Sequence, residues 1–175
     1  YEGTDDWSFL FTPNSGLNNN LVTMFTEFEI RSEEDIQDII NYASQVREYF
    51  KAAIEVTKNQ YAGGFFQNDA VIEDILDSLE RFISKKGKNN EIYAVLSKSI
   101  DNFDGLDTAK KEEYKSQLLK EVKQSVIPGF EDAIAFYNSV KGTATHNGAF
   151  CKWDGAKKYY EILIQDKCST TLSLD

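Results

Sequence analysis

Apolar positions recur along most of the chain at intervals of three and four, the spacing that lines one face of a helix. The longest such stripe is Ile36, Ile39, Ile40, Ala43, Val46, Phe50, Ala53 and Ile54. Ser32 precedes it and Glu33, Glu34 and Asp35 follow, setting a capping hydroxyl and three acids against the positive end of a helix. The pattern predicts a long helix opening at Ser32 and ending by Gly63-Gly64. A second helix is expected from about Asn68, with Val71, Ile72, Ile75, Leu76, Leu79, Phe82 and Ile83 on one face and a stop at Gly87. Lys85, Lys86 and Lys88 would then sit at its negative end. A third, over roughly 90–102, uses Ile92, Tyr93, Leu96 and Ile100 and is closed by Asp104-Gly105.

A fourth helix is expected to begin near Asp107 or Thr108 and shows Tyr114, Leu118, Val122 and Val126 at strict four-residue spacing before Pro128. Proline removes an N–H and clashes with the preceding turn, at ~3 kcal/mol inside a helix, so a restart or sharp kink is expected there. A fifth stretch carries Phe130, Ala133, Ile134, Tyr137 and Val140 to Lys141-Gly142, and a last one runs from about residue 154 to 166 through Tyr159, Tyr160, Leu163 and Ile164. Residues 1–31 show no sustained period. Their aromatics (Trp7, Phe9, Phe11, Phe25, Phe28) alternate with turn formers such as Pro13, Gly16 and the Asn18-Asn19-Asn20 run, which reads as an extended lead-in packed on the core. Phe150-Cys151-Lys152-Trp153 reads as a brief extended segment. The fold class is all-α: a bundle of about five to six mostly antiparallel helices, divided into the lead-in 1–31, a helical domain 32–141, and a loop and helix over 142–175.

Composition supports that picture. With 41% hydrophobic residues in 175, including twelve Phe and nine Tyr, the chain can bury a sizeable, aromatic-rich core, and two Pro leave few obligatory breaks. The net charge of −10 argues against nucleic acid, because neutralising phosphates takes clustered Lys and Arg. No run of about 18 apolar residues forms a transmembrane segment. The chain opens on Tyr1 rather than Met, and Thr171-Leu172-Ser173-Leu174-Asp175 reads like the start of another helix with Ser173 as its cap, so a longer parent is expected.

Candidate chemistry is sparse. A zinc site takes about three imidazole, thiolate or carboxylate ligands, and the chain offers one His, two Cys and no H-E-x-x-H. His146, Cys151 and Cys168 match no usual ligand spacing, and no third group orients a Cys-His nucleophile, so neither a metal site nor a catalytic residue is assigned. A Cys151–Cys168 disulfide would need Cα atoms within ~7 Å across a helix about 18 Å long, which favours free thiols. Lys141-Gly142-Thr143 lacks the glycine-rich turn of a phosphate loop and reads as a helix C-terminus. Tyr42, Tyr49, Tyr61, Tyr137, Tyr159 and Tyr160 read first as core, with partner docking on an acidic helix left open.

Segments spread over nearly the whole chain, in their shared order, then carry a resemblance. Ser125-Val126-Ile127-Pro128-Gly129-Phe130 is followed by Gly148-Ala149-Phe150-Cys151 and by Gly155-Ala156-Lys157-Lys158-Tyr159-Tyr160. Upstream stand Arg31-Ser32-Glu33-Glu34-Asp35 and Tyr61-Ala62-Gly63-Gly64. In that order they resemble domain-of-unknown-function family 885, a bacterial family similar to gluzincin-type zinc metallopeptidases. The segment Phe150–Asp154 departs from the family pattern, which commonly has a proline there. The resemblance implies that zinc and its H-E-x-x-H ligands belong to a C-terminal catalytic domain beyond Asp175, with none of those residues in this chain. It further implies a non-catalytic helical domain that supports or covers the substrate cleft, Tyr159 and Tyr160 as candidate cleft-lining positions, and the catalytic domain in cis and a peptide substrate as partners. A parent exported or anchored at the cell envelope is expected. The alternative is a self-contained secreted or surface helical module that binds a partner.

Overall fold

In the computed structural model, which describes residues 8–144, 152 and 155–168, the helices run α1 (Leu17–Thr26), α2 (Glu33–Ala62), α3 (Asp69–Ser84), α4 (Glu91–Asn102), α5 (Thr108–Glu121), α6 (Ile127–Val140) and α7 (Ala156–Cys168). The all-α reading holds, with no strand among the described residues. Trp7 and the segment around Cys151 lie outside them.

Local sequence chemistry sets most of the helix starts. Ser32 Oγ accepts the Asp35 N–H at 3.2 Å while Asp35 Oδ2 accepts the Ser32 N–H at 2.8 Å, a reciprocal pair that satisfies two otherwise orphaned donors and opens α2. Asn68, Asn90 and Asp107 cap α3, α4 and α5 in the same sense. Helix α3 stops at Ser84, slightly ahead of Gly87, which instead opens a 3-10 turn over Gly87–Asn89.

The lead-in departs from expectation at residues 17–26, which form α1. Leu21 and Phe25 are buried, and the asparagines that favour turns spend their amides on one tertiary and two preceding partners. Asn18 donates to Ser78 Oγ at 3.0 Å, Asn19 to the Pro13 carbonyl at 2.9 Å and Asn20 to the Ser15 carbonyl at 2.9 Å. Once those bonds are made, the competition Asn ordinarily offers to the helix backbone is gone. Gly16 is required at the entry, because a Cβ there would lie 2.2 Å from the Thr12 nitrogen and 2.6 Å from Asn18 Oδ1. Ahead of it the chain packs on the core as expected but turns back on itself rather than running extended, the Leu17 N–H donating to the Leu10 carbonyl at 2.7 Å. Phe11 is fully buried, 5.5 Å from the Phe50 ring and 5.7 Å from the Tyr137 ring, both edge-on.

Pro128 falls in the first turn of α6, as a restart would place it, but no non-helical residue breaks the chain ahead of it. The chain stays helical from Thr108 to Val140 by widening into a π-turn over Val122–Val126, where the Ile127 N–H reaches the Val122 carbonyl five residues back. Insertion of one extra residue per turn accommodates a ring that would clash with a regular α ladder. It also serves the burial pattern. Strict four-residue spacing drifts by about 40° per step on an α-helix, and the wider turn brings Val122, Val126 and Phe130 back onto the buried face.

Helix α2 is the axis of the bundle, packed against α5, the π-turn and α6 in succession. Glu33 meets Lys110 and Tyr114, Ser44 meets Ser125, and Phe50 meets Phe130, so this pair of long helices runs parallel. Short loops impose antiparallel neighbours only on consecutive helices, and two helices intervene here. Helix α3 runs antiparallel to α6, with the Phe82 and Phe130 rings stacked at 4.1 Å near one end and Lys141 Nζ on Glu73 at 2.8 Å near the other.

At the N-terminal end of α2, Glu33 binds the Lys110 ammonium and accepts the Tyr114 hydroxyl at 2.6 Å, which together hold its carboxyl below the ordinary value of 4.5. A carboxylate depressed in the folded state adds stability above its unfolded pKa, and that contribution is lost as pH falls through the lower folded value. Thermal midpoints measured from about pH 5 down to pH 2 should therefore fall less steeply for Glu33→Gln than for the parent chain. Parallel slopes in the two proteins would rule this out.

Candidate functional site

Among the described residues no three of His, Cys, Asp and Glu converge closely enough to hold a metal ion. His146 and Cys151 lie outside them, so a ligand set or disulfide built on either is not described; Cys168 ends α7 as an exposed thiol. No described helix is long and apolar enough to cross a membrane. Lys141-Gly142-Thr143 does form a helix C-terminus: Gly142 takes a positive φ of 79°, and its N–H donates to Asp69 Oδ1 at 2.8 Å, tying α6 to the start of α3.

Tyr159 and Tyr160 lie on the first turns of α7, whose only buried residue is Ala156. Tyr160 is half exposed and Tyr159 is partly buried, as adjacent helix positions about 100° apart would have it. Neither borders either of two grooves on the bundle surface. The first groove, about 440 Å³, lies between α1 and α3 beside Asn18, Asn19, Ser78, Arg81 and Lys85. Its floor is a relay in which Asn18 donates to Ser78 Oγ, and Ser78 in turn to Asn19 Oδ1 at 3.0 Å. The second, about 600 Å³, is a shallow trough where Phe28 and Ile30 of the α1–α2 link face Phe103 and Gly105. Sequence reasoning placed no site at either, since both arise from segments remote in the chain.

The tyrosines divide by environment. Tyr61 and Tyr137 belong to a buried cluster around Gln67, whose Oε1 accepts the Tyr137 hydroxyl at 3.1 Å and the Tyr61 hydroxyl at 3.5 Å while its Nε2 donates to the Phe11 carbonyl at 2.7 Å. Burial pushes the Tyr61 hydroxyl up to about 12 and the Tyr137 hydroxyl upward as well, so both stay neutral donors. This arrangement fastens the lead-in to α2 and α6. It offers no reacting centre, because every polar atom of the Gln67 amide faces a structural partner. Tyr42, Tyr49 and Tyr160 stay half exposed, so the reading of the tyrosines as core holds for some positions and not for these.

No curated protein matches the chain. The crystal structure described as "the putative lipoprotein from Colwellia psychrerythraea" superposes with a TM-score of 0.89 over 94% of this chain at 18% identity, a likeness of fold. This chain spans only 28% of that protein's length. The family model described as "Bacterial protein of unknown function (DUF885)" matches residues 4–175, and the chain belongs to that family.

Proposed function

We propose that this chain is the non-catalytic helical domain of a longer zinc metallopeptidase-like polypeptide, in which it supports or covers the substrate cleft. The observation that carries the reading is the disproportion in coverage: nearly the whole chain matches a fold that occupies little more than a quarter of its structural neighbour. A closed bundle whose described residues gather no metal-sized donor set suits a supporting role. Zinc, bound by residues outside this chain, would lower the pKa of a water that a nearby glutamate deprotonates. Within this chain Tyr159 and Tyr160, on a helix that buries little against the bundle, are the positions we assign to the cleft wall. The neighbour's description as a lipoprotein supports a parent at the cell envelope.

The test compares this chain with the longer polypeptide. Zinc content and hydrolysis of a peptide library should appear only in the longer form, and Tyr159→Phe with Tyr160→Phe should change which peptides it accepts. Stoichiometric zinc on the short chain would defeat the proposal. A longer form that hydrolyses nothing while the short chain captures a partner would favour a self-contained binding module.

A further inference from the structure

Helix α2 carries two seams, and the bundle uses one. Buried positions recur as Ile36, Ala43, Phe50 and Thr57 with Ile39, Val46, Ala53 and Gln60, two rows each repeating every seven residues. On an adjacent face a second pair of rows repeats with the same interval: Tyr42, Tyr49 and Val56, interleaved three residues on by Gln45, Ala52 and Asn59. All six are exposed, with Tyr42 at 48%, Tyr49 at 58% and Val56 at 47%. The strip extends roughly 26 Å along the helix.

Between Tyr42 and Asn59 the strip carries no charge. From residue 41 to the end of α2 the charged residues are Arg47, Glu48, Lys51, Glu55 and Lys58, none of them in either row, whereas one heptad upstream the same rows begin on Asp35 and Asp38. A solvated helix face ordinarily carries the charges in a chain that is 27% charged. Tyrosine-rich, charge-depleted surface is instead the composition of a packing interface, and alternating three- and four-residue spacing is the geometry that receives a second helix side by side.

We propose that this strip is the docking seam for a helix supplied by the remainder of the longer polypeptide. The inference rests on the reading of this chain as one domain of that polypeptide. Two observations select the occupant: the structural neighbour has most of its length outside the matched region, which supplies chain in cis, and two copies of a chain carrying −10 would repel one another, which disfavours self-association. The partner helix is expected to present an apolar, uncharged stripe, because any charge set against Tyr49 and Ala52 would be desolvated without an opposite charge in the seam.

Single cysteines in the longer polypeptide, with Cys151 and Cys168 replaced by Ser, test this. Maleimide labelling of Tyr49→Cys in the native protein should be at least about tenfold slower than that of Lys51→Cys, which lies outside the rows, and the two rates should converge in urea. Ala52→Cys, a smaller change inside the seam, should show the same protection, so a Tyr49→Cys protein that folds poorly does not leave the question open. Equal native rates at positions 49, 51 and 52 would overturn the proposal. Protection that vanishes on dilution to monomer would also overturn it, assigning the seam to a second copy. Because the readout is not activity, an inactive longer polypeptide with a protected seam would remove the peptidase reading and leave this one standing.

Discussion

Phe50→Ala is expected to lower the stability of the chain by about 3–5 kcal/mol, read from chemical denaturation. The ring is fully buried where the lead-in, α2 and α6 meet: it packs on Phe11 of the lead-in and, from α6, on Phe130 at 4.8 Å and on Gly129, whose hydrogens face it so closely that an added Cβ would sit 3.4 Å from Phe50 Cγ. Truncation forfeits the transfer energy of the ring and leaves a cavity that two parallel helices cannot close without shifting along their shared length. The neighbouring Tyr49→Ala should change stability by no more than about 0.5 kcal/mol in the same chain, because its ring is exposed. A loss below about 1 kcal/mol for Phe50→Ala would mean that this junction is not the centre of the core.

The second large effect belongs to Gln67. Removing its amide by Gln67→Ala strands the Phe11 carbonyl and the Tyr137 hydroxyl in the interior, each at about 1–3 kcal/mol, so a total loss of about 2–4 kcal/mol is expected once partial relaxation is allowed. Tyr137→Phe should cost only about 1 kcal/mol, because Gln67 Oε1 retains the longer bond from Tyr61. Amide exchange at the lead-in distinguishes the two: Gln67→Ala should release protection around Phe11, and Tyr137→Phe should leave it intact. If both variants lose the same stability, the amide is not the fastening.

These two predictions separate what could be read from the chain from what could not. Phe50 was legible as core from spacing alone, one member of a stripe on a helix whose start was written in Ser32 and Asp35. Gln67 was not, since a glutamine between two helices gives no sign of burial until the backbone of residue 11 is brought over it. For the candidate site the position is similar. The scarcity of His and Cys and the charge of −10 narrowed the chemistry directly, while the half-exposed state of Tyr160 and the uncharged seam of α2 required knowing which of two helical faces the bundle buries.

Helix positions, caps and the aromatic content of the core follow from the sequence by itself, because each depends on residues within a few turns of one another. Tertiary structure decided the rest. It turned 17–26 into a helix by giving three asparagine amides distant or preceding partners, carried the chain past Pro128 through a π-turn because α2 offers one continuous face to pack on, and set α2 parallel to α5 and α6. In each case packing between groups far apart in the chain contributes to the outcome, for α1 through Asn18 on Ser78 and the burial of Leu21 and Phe25, and local propensity, worth at most about 1 kcal/mol per ordinary residue, yields to it.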